Sequence, residues 1–140
     1  METTDQLRRQ LIEQLMAQRT EKVAYAAIDL WEPLAIQIVS LVGEEGFSSL
    51  YARSAFCVQS KFPWLAAQSL SLQTDQRFAE LKKTLEGQIA EEARAANGLL
   101  LITFTDILAA LIGEQLTVGI LRSAWGNGAP YSSTKEFKNE

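Results

Sequence analysis

The sequence of 140 residues contains no histidine and a single cysteine, which excludes several classes of enzyme and metal protein. Without histidine the chain cannot form a Ser-His-Asp or Cys-His catalytic site, a histidine phosphotransfer module or the Glu-x-x-His ligands of di-iron helical bundles. Without a Cys-x-x-Cys pair it has no zinc-binding cysteine motif. Cys57 cannot form an intrachain disulfide. Because it lies between apolar residues in SAFCVQS, we expect this thiol to be buried rather than reactive.

Basic residues are fewer than acidic residues, which argues against nucleic acid as a partner. The chain has 13 Lys and Arg residues against 17 Asp and Glu residues, a net charge of −4, and so repels phosphate backbones. A glycine-rich phosphate loop is also absent from the sequence, because GNG at 126–128 follows a helical segment instead of leading from a strand into a helix. We therefore expect neither a nucleic acid partner nor a cofactor.

Three prolines and eight glycines separate long segments in which apolar residues recur at steps of three and four. This is the period of an α-helix. Pro33 predicts a kink, or the first turn of a new helix that ends near Gly43, and a further helix is expected over 47–59. No segment alternates polar and apolar residues between hairpin turns, so almost no sheet is expected.

The second part of the chain has the same organisation. An amphipathic helix with Thr74 as its N-cap is followed by Gly98, which predicts a break before the next apolar segment. Residues 129–140 are polar and rich in turn formers, which predicts a flexible tail. We therefore expect one all-α domain over 1–128 and a C-terminal tail over 129–140.

The two parts of the chain resemble each other. When the sequence is shifted by 70 residues against itself, 12 of the 41 positions from residue 4 to residue 44 are identical. The clearest matches at this shift are TDQ at 4–6 and 74–76 and LVGE and LIGE at 41–44 and 111–114. Beyond residue 44 the shift becomes 69, and RSAF at 53–56 then matches RSAW at 122–125. We interpret this pattern as a tandem duplication. It predicts two similar halves, 1–70 and 71–128, packed as a compact bundle of six or seven helices about a pseudo-two-fold axis.

The segment 98–121 is apolar enough to raise the question of a membrane span. It carries Asp106 and Glu114, and the corresponding segment of the first half carries Asp29 and Glu32. Each such carboxylate costs roughly 2.5–3.5 kcal/mol near the middle of a bilayer. We therefore expect two core helices that cover each other in a soluble protein with no membrane span. The N-terminus lacks the apolar core and cleavage site of a secretory signal, so the cytoplasm is the expected location.

Four charged residues recur in both halves and are the candidate binding residues. Glu44 and Glu114 each follow a glycine, and Arg53 and Arg122 come eight or nine residues later. In one interpretation each glutamate stabilises the start of the next helix, and each arginine pairs with a carboxylate. In the other interpretation the two-fold axis brings the four residues together as a site for an anionic ligand or a partner segment.

These observations favour a non-catalytic function. The leading hypothesis is a regulatory or adaptor module that acts through a protein partner, with a homo-oligomer also possible. The second is a binding protein for a small apolar or anionic ligand held between the halves. The third is a carboxylate-based, Mg²⁺-dependent enzyme, since Asp29 and Glu32 lie one helical turn apart, the spacing of two oxygen ligands. They lack an evident third ligand, so no metal site is assigned.

Overall fold

The computed structural model describes residues 4–18, 23–65 and 77–126, which form five α-helices and one 3₁₀ turn and contain no strand. The helices are α1 Thr4–Gln18, α2 Val23–Val58, α3 Ala79–Glu86, α4 Ala90–Ile112 and α5 Glu114–Trp125, with the 3₁₀ turn Pro63–Leu65 between α2 and α3. The all-α class is thus confirmed. The predicted count of six or seven helices is not confirmed.

Two glycines produce the sharp bends of the chain. Gly43, within α2, has φ 85° and ψ 170°, and Gly113, between α4 and α5, has φ 96° and ψ 156°. Residues with a Cβ rarely adopt this backbone region, so glycine is needed at both positions. The non-helical residue within α2 is therefore Gly43, near which the sequence predicted a helix end. Pro33, where the sequence predicted a kink or a helix start, lies inside α2.

Replacing Gly43 or Gly113 by alanine should lower the free energy of unfolding by about 1–3 kcal/mol, the cost of holding a Cβ-bearing residue in a glycine-only region. The loss comes from the backbone conformation, because a Cβ at either position would meet nothing within 4 Å. Gly119 is the control. A Cβ there is equally unobstructed, but Gly119 lies inside α5, where alanine should stabilise by about 0.5–1 kcal/mol. Urea denaturation of the three variants measures these changes, and a Gly43→Ala protein as stable as wild type would contradict the argument.

The centre of the core is Trp31, whose side chain is fully buried. Its ring centroid lies 5.3 Å from that of Tyr51, 5.2 Å from that of Phe104 and 5.6 Å from that of Phe78. The Tyr51 and Phe104 rings meet it edge-on, a geometry that aromatic rings favour. The indole N–H donates a 2.8 Å hydrogen bond to Asn97 Oδ1. These contacts join α2 and α4 to the start of α3.

The first helix of each part of the chain packs on the long helix of the other part. Thus α1 packs mainly against α4, and α3 mainly against α2. The last helix, α5, also packs on α2, where the indole N–H of Trp125 donates a 2.9 Å hydrogen bond to the carbonyl oxygen of Leu30. Because α1 packs on α4 and α3 packs on α2, residues that are far apart in sequence meet at both bends.

Several local expectations differ from the structure. Cys57 is exposed, because Ala55 and Val58 take the inward positions of this turn of α2. Gly98 does not end a helix. It is buried inside α4, where tertiary packing compensates for the weak helix propensity of glycine. The break in this part of the chain lies instead at residues 87–89, between α3 and α4.

Two other expectations concern parts of the chain that lie outside the described residues. These are the N-cap at Thr74 and the tail over 129–140.

The prediction that the chain has no membrane span is corrected by the lengths and compositions of α2 and α4. The two helices, Val23–Val58 with 36 residues and Ala90–Ile112 with 23, are long and apolar enough to cross a membrane. In each helix 39% of an 18-residue apolar stretch is buried inside the protein. Each stretch holds at most two charged residues, and Glu114, which the carboxylate argument counted, lies beyond the end of α4.

Candidate functional site

The two glutamates that follow the bends are each bound by an arginine from the other part of the chain. Arg77 donates to both carboxylate oxygens of Glu44, with its Nη2 3.1 Å from Oε2. Arg8 of α1 donates to both oxygens of Glu114, through Nε at 3.3 Å and Nη2 at 3.0 Å. Paired donors of this kind fix the direction of an arginine as well as its distance. The two pairs therefore hold α1 on α5 and the start of α3 on α2.

Arg8 is the most enclosed charged side chain among the described residues, with 0% exposure. Its Nη1 donates a 2.7 Å hydrogen bond to Thr105 Oγ1, its Nη2 lies 2.8 Å from Asp106 Oδ1, and it also pairs with Asp5. Burial alone would lower the pKa of Arg8, but hydrogen bonds and charge from Glu114 and Asp106 outweigh it and raise that pKa. Arg8 therefore stays charged inside the fold and anchors α1.

The sequence did not identify Arg8 and Arg77 as the partners of the two glutamates. One signal was available, since the two arginines are 69 residues apart, close to the 70-residue shift that superimposes the glutamates. This signal was missed because a shift of exactly 70 residues aligns Arg8 with Phe78 and Arg77 with Leu7, and both of these partners are apolar.

The hydrogen bonds from Arg77 lower the pKa of Glu44 below its ordinary value. Because the folded pKa is depressed, the pair stabilises the fold above the unfolded carboxyl pKa of about 4.3, and this contribution is lost as the pH falls through the depressed value. We therefore expect Glu44→Gln to lower the melting temperature at pH 7 and to have little effect near pH 3. Thermal melts of both proteins across this range provide the test, and a difference that is constant with pH would contradict the assignment.

Arg53 lies at the edge of an open groove of about 490 Å³ between α2 and α4. The groove is lined by Ser49, Leu50, Arg53, Ile107, Ala110 and Leu111. Leu50 is buried and Ile107 is half-buried, so the floor of the groove is apolar, whereas Leu111 is 68% exposed. Arg53 is exposed and makes no hydrogen bond or ion pair with any residue in the described ranges. The groove thus combines an apolar floor with a cation that has no partner there.

Phe56 extends this apolar area along α2. It follows Arg53 by three residues, on the same side of the helix, and is 69% exposed. Its counterpart in the RSAF and RSAW match is Trp125, which is half-buried and bonded to the Leu30 carbonyl. The sequence singled out Arg53 but not the apolar residues around it. We use the name Arg53 surface for Leu50, Arg53, Phe56, Ile107, Ala110 and Leu111.

The four repeated charged residues therefore have different surroundings. Glu44 and Glu114 are bound by the buried arginines, and Arg53 lies on the open groove. Arg122 is exposed in the last turn of α5, where a cation interacts favourably with the helix dipole.

The surroundings of Asp29 and Glu32 bear on the magnesium hypothesis. Both residues line a cavity of about 380 Å³ between α2 and α3, together with Lys82. The Lys82 ammonium also lies 4.1 Å from the centre of the Tyr25 ring. The described part of the chain contains no group of three or more carboxylate or thiol side chains that could hold a metal ion. The carboxylates thus face a lysine rather than a third acidic ligand.

No protein-family model, curated protein or solved structure matches this chain.

Proposed function

We propose that the protein is a non-catalytic regulatory or adaptor module that binds a protein partner through the Arg53 surface. The observation that carries the proposal is the exposure of Phe56 and Leu111, at 69% and 68%, beside an apolar groove. Within the described residues, the arginine on this groove makes no ion pair. Covering apolar area is worth about 25 cal/mol per Å², so contact with a partner at this surface is favourable. Arginine and aromatic residues are also enriched at protein interfaces, and the surface provides Arg53 and Phe56.

The shape of the surface favours a protein segment over a small molecule. A small-molecule site encloses most of its ligand, whereas Phe56 and Leu111 project into solvent around an open groove. A small apolar or anionic ligand is the second candidate, because 490 Å³ lies within the usual range of ligand pockets, about 300–1,000 Å³. No comparable observation in the described residues favours a carboxylate-based magnesium enzyme.

The proposed architecture behind this surface is a duplicated unit with an approximate two-fold axis. The two glycine bends, 70 residues apart and similar in φ and ψ, support it. Two further observations support it. In each glutamate–arginine pair the two residues come from different halves. The first helix of each half, α1 or α3, packs mainly on the long helix of the other half. If α2 is divided at its bend, each half has three helical segments, six in total. The Arg53 surface then draws its residues from both halves.

Serine substitutions on and off the Arg53 surface provide the test of the proposed function. Tagged wild type, Phe56→Ser, Leu111→Ser and Ile89→Ser are expressed in the native cell and captured from both the aqueous and the detergent-solubilised membrane fractions. Ile89 is the matched control, because it is 68% exposed but precedes the first residue of α4, at the opposite end of that helix from Leu111. The detergent arm is included because α2 and α4 are long enough to span a membrane.

We expect one stoichiometric protein to accompany wild type and Ile89→Ser and to be lost from Phe56→Ser and Leu111→Ser. Surface substitutions of this kind change stability by about 0.5 kcal/mol or less, so the melting temperatures should stay close to that of wild type. A partner that binds all four proteins equally, or the absence of any stoichiometric partner in both fractions, would contradict the proposal.

A further inference from the structure

We infer that the occupant of the Arg53 surface is an acidic amphipathic helix of the partner protein, with one carboxylate paired with the Arg53 guanidinium. This inference rests on the proposed function, and it adds the conformation and the charge of the binding segment.

The conformation follows from the shape of the groove. Its walls are two helices, and Ile107 and Leu111 on α4 are spaced by one turn, as Ser49 and Arg53 are on α2. Rows of side chains at this spacing form ridges, and the groove between two such helices accepts the ridge of a third. An amphipathic helix with apolar residues at positions i, i+3 or i+4, and i+7 presents such a ridge.

The negative charge of the partner's binding segment follows from the residues that surround Arg53. The other members of the Arg53 surface are apolar, so the surface provides no carboxylate of its own. By contrast, Arg8 and Arg77, which also lie at contacts between helices, are each bound by a glutamate. Covering Arg53 with an apolar segment would remove water from its guanidinium without supplying a partner, which is unfavourable. A carboxylate instead replaces the lost hydration with a charge-assisted hydrogen bond.

The position of Glu45 limits where the partner's carboxylate can lie. Glu45 is exposed one helical turn before Ser49, at the end of the groove near the bend of α2. A second carboxylate placed there would be repelled, whereas one placed at Arg53 would be attracted. The chain carries a net charge of −4, which at long range repels an acidic segment. The preference for an acidic segment therefore comes from the local contact with Arg53 and not from the overall charge of the protein.

Two synthetic peptides test the inference. Each is a 16-residue amphipathic helix with leucines on one face, flanked by glutamates in one peptide and by lysines in the other. Fluorescence anisotropy measures the binding of each peptide to wild type, Arg53→Glu and Lys83→Glu. Lys83 is the control, because it is an exposed cation on α3, away from the groove.

We expect the glutamate peptide to bind wild type and Lys83→Glu with similar affinity and to bind Arg53→Glu at least about tenfold more weakly. The lysine peptide should show the opposite preference and bind Arg53→Glu best. Equal binding of the two peptides, no effect of Arg53→Glu, or no binding of the glutamate peptide to wild type would overturn the inference.

Two further measurements separate other occupants of the groove. Sedimentation equilibrium without peptide would reveal a dimer that Arg53→Glu abolishes, in which case the occupant is a second copy of this chain. Saturable binding of decanoate that depends on Arg53 and blocks the glutamate peptide would identify a small anionic ligand instead. If the partner captured from cells depends on Phe56 and Leu111 but not on Arg53, the proposed function stands and the acidic helix does not.

Discussion

Replacement of Trp31 by alanine should lower the free energy of unfolding by about 4 kcal/mol, in the range measured for large aromatic residues in protein cores. The indole is fully buried and packs against Tyr51, Phe78 and Phe104, so its removal leaves a cavity where α2, α4 and the start of α3 meet. It also removes the donor of the 2.8 Å hydrogen bond to Asn97 Oδ1. A domain of this size is stable by about 5–15 kcal/mol, so the variant should lose between about a quarter and four-fifths of that stability.

Trp31→Phe is the graded control for this prediction. It keeps most of the aromatic packing but removes the N–H group, and the loss of one hydrogen bond costs about 0.5–1.5 kcal/mol. Urea denaturation should therefore rank wild type above Trp31→Phe and Trp31→Phe above Trp31→Ala. A loss below about 1 kcal/mol for Trp31→Ala would mean that this cluster is not the centre of the core.

Replacement of Arg8 by methionine should lower the free energy of unfolding by about 3 kcal/mol. The guanidinium is fully buried, and its removal leaves Asp106, Glu114 and Thr105 without their common partner. Breaking a buried ion pair costs about 3–5 kcal/mol. The lower end applies here, because the side chains of Asp106 and Glu114 are 31% and 33% exposed and water can solvate them in part.

The matched control is Arg9→Met on the same helix. Arg9 is 47% exposed and pairs with Asp5 and Asp106, so its loss should cost no more than about 1 kcal/mol. Hydrogen exchange gives a second, local measurement. In Arg8→Met the amides of α1 should exchange much faster than those of α4, because Arg8 anchors α1 to α4 and α5. Equal destabilisation by the two substitutions would contradict the assigned role of Arg8.

The helical class follows from the sequence alone. Apolar residues recur at steps of three and four through most of the chain, and this pattern can be buried only if the chain is helical. The glycines of LVGE and LIGE also marked both bends, since each match contains one of the two residues, Gly43 and Gly113, that hold positive φ there. The repeated Glu44 and Glu114 were identified for the same reason, because they directly follow these glycines.

The tertiary structure decided which partner each charged residue has and which apolar residues remain exposed. Arg8 and Arg77 come to the two glutamates because α1 packs on α4 and α3 packs on α2. Phe56 and Cys57 face solvent because no helix covers that side of α2 in the described part of the chain. Helical period is a local property that neighbouring residues set. Burial and ion pairing depend on which helices meet, and the sequence encodes that only through the sum of many distant contacts.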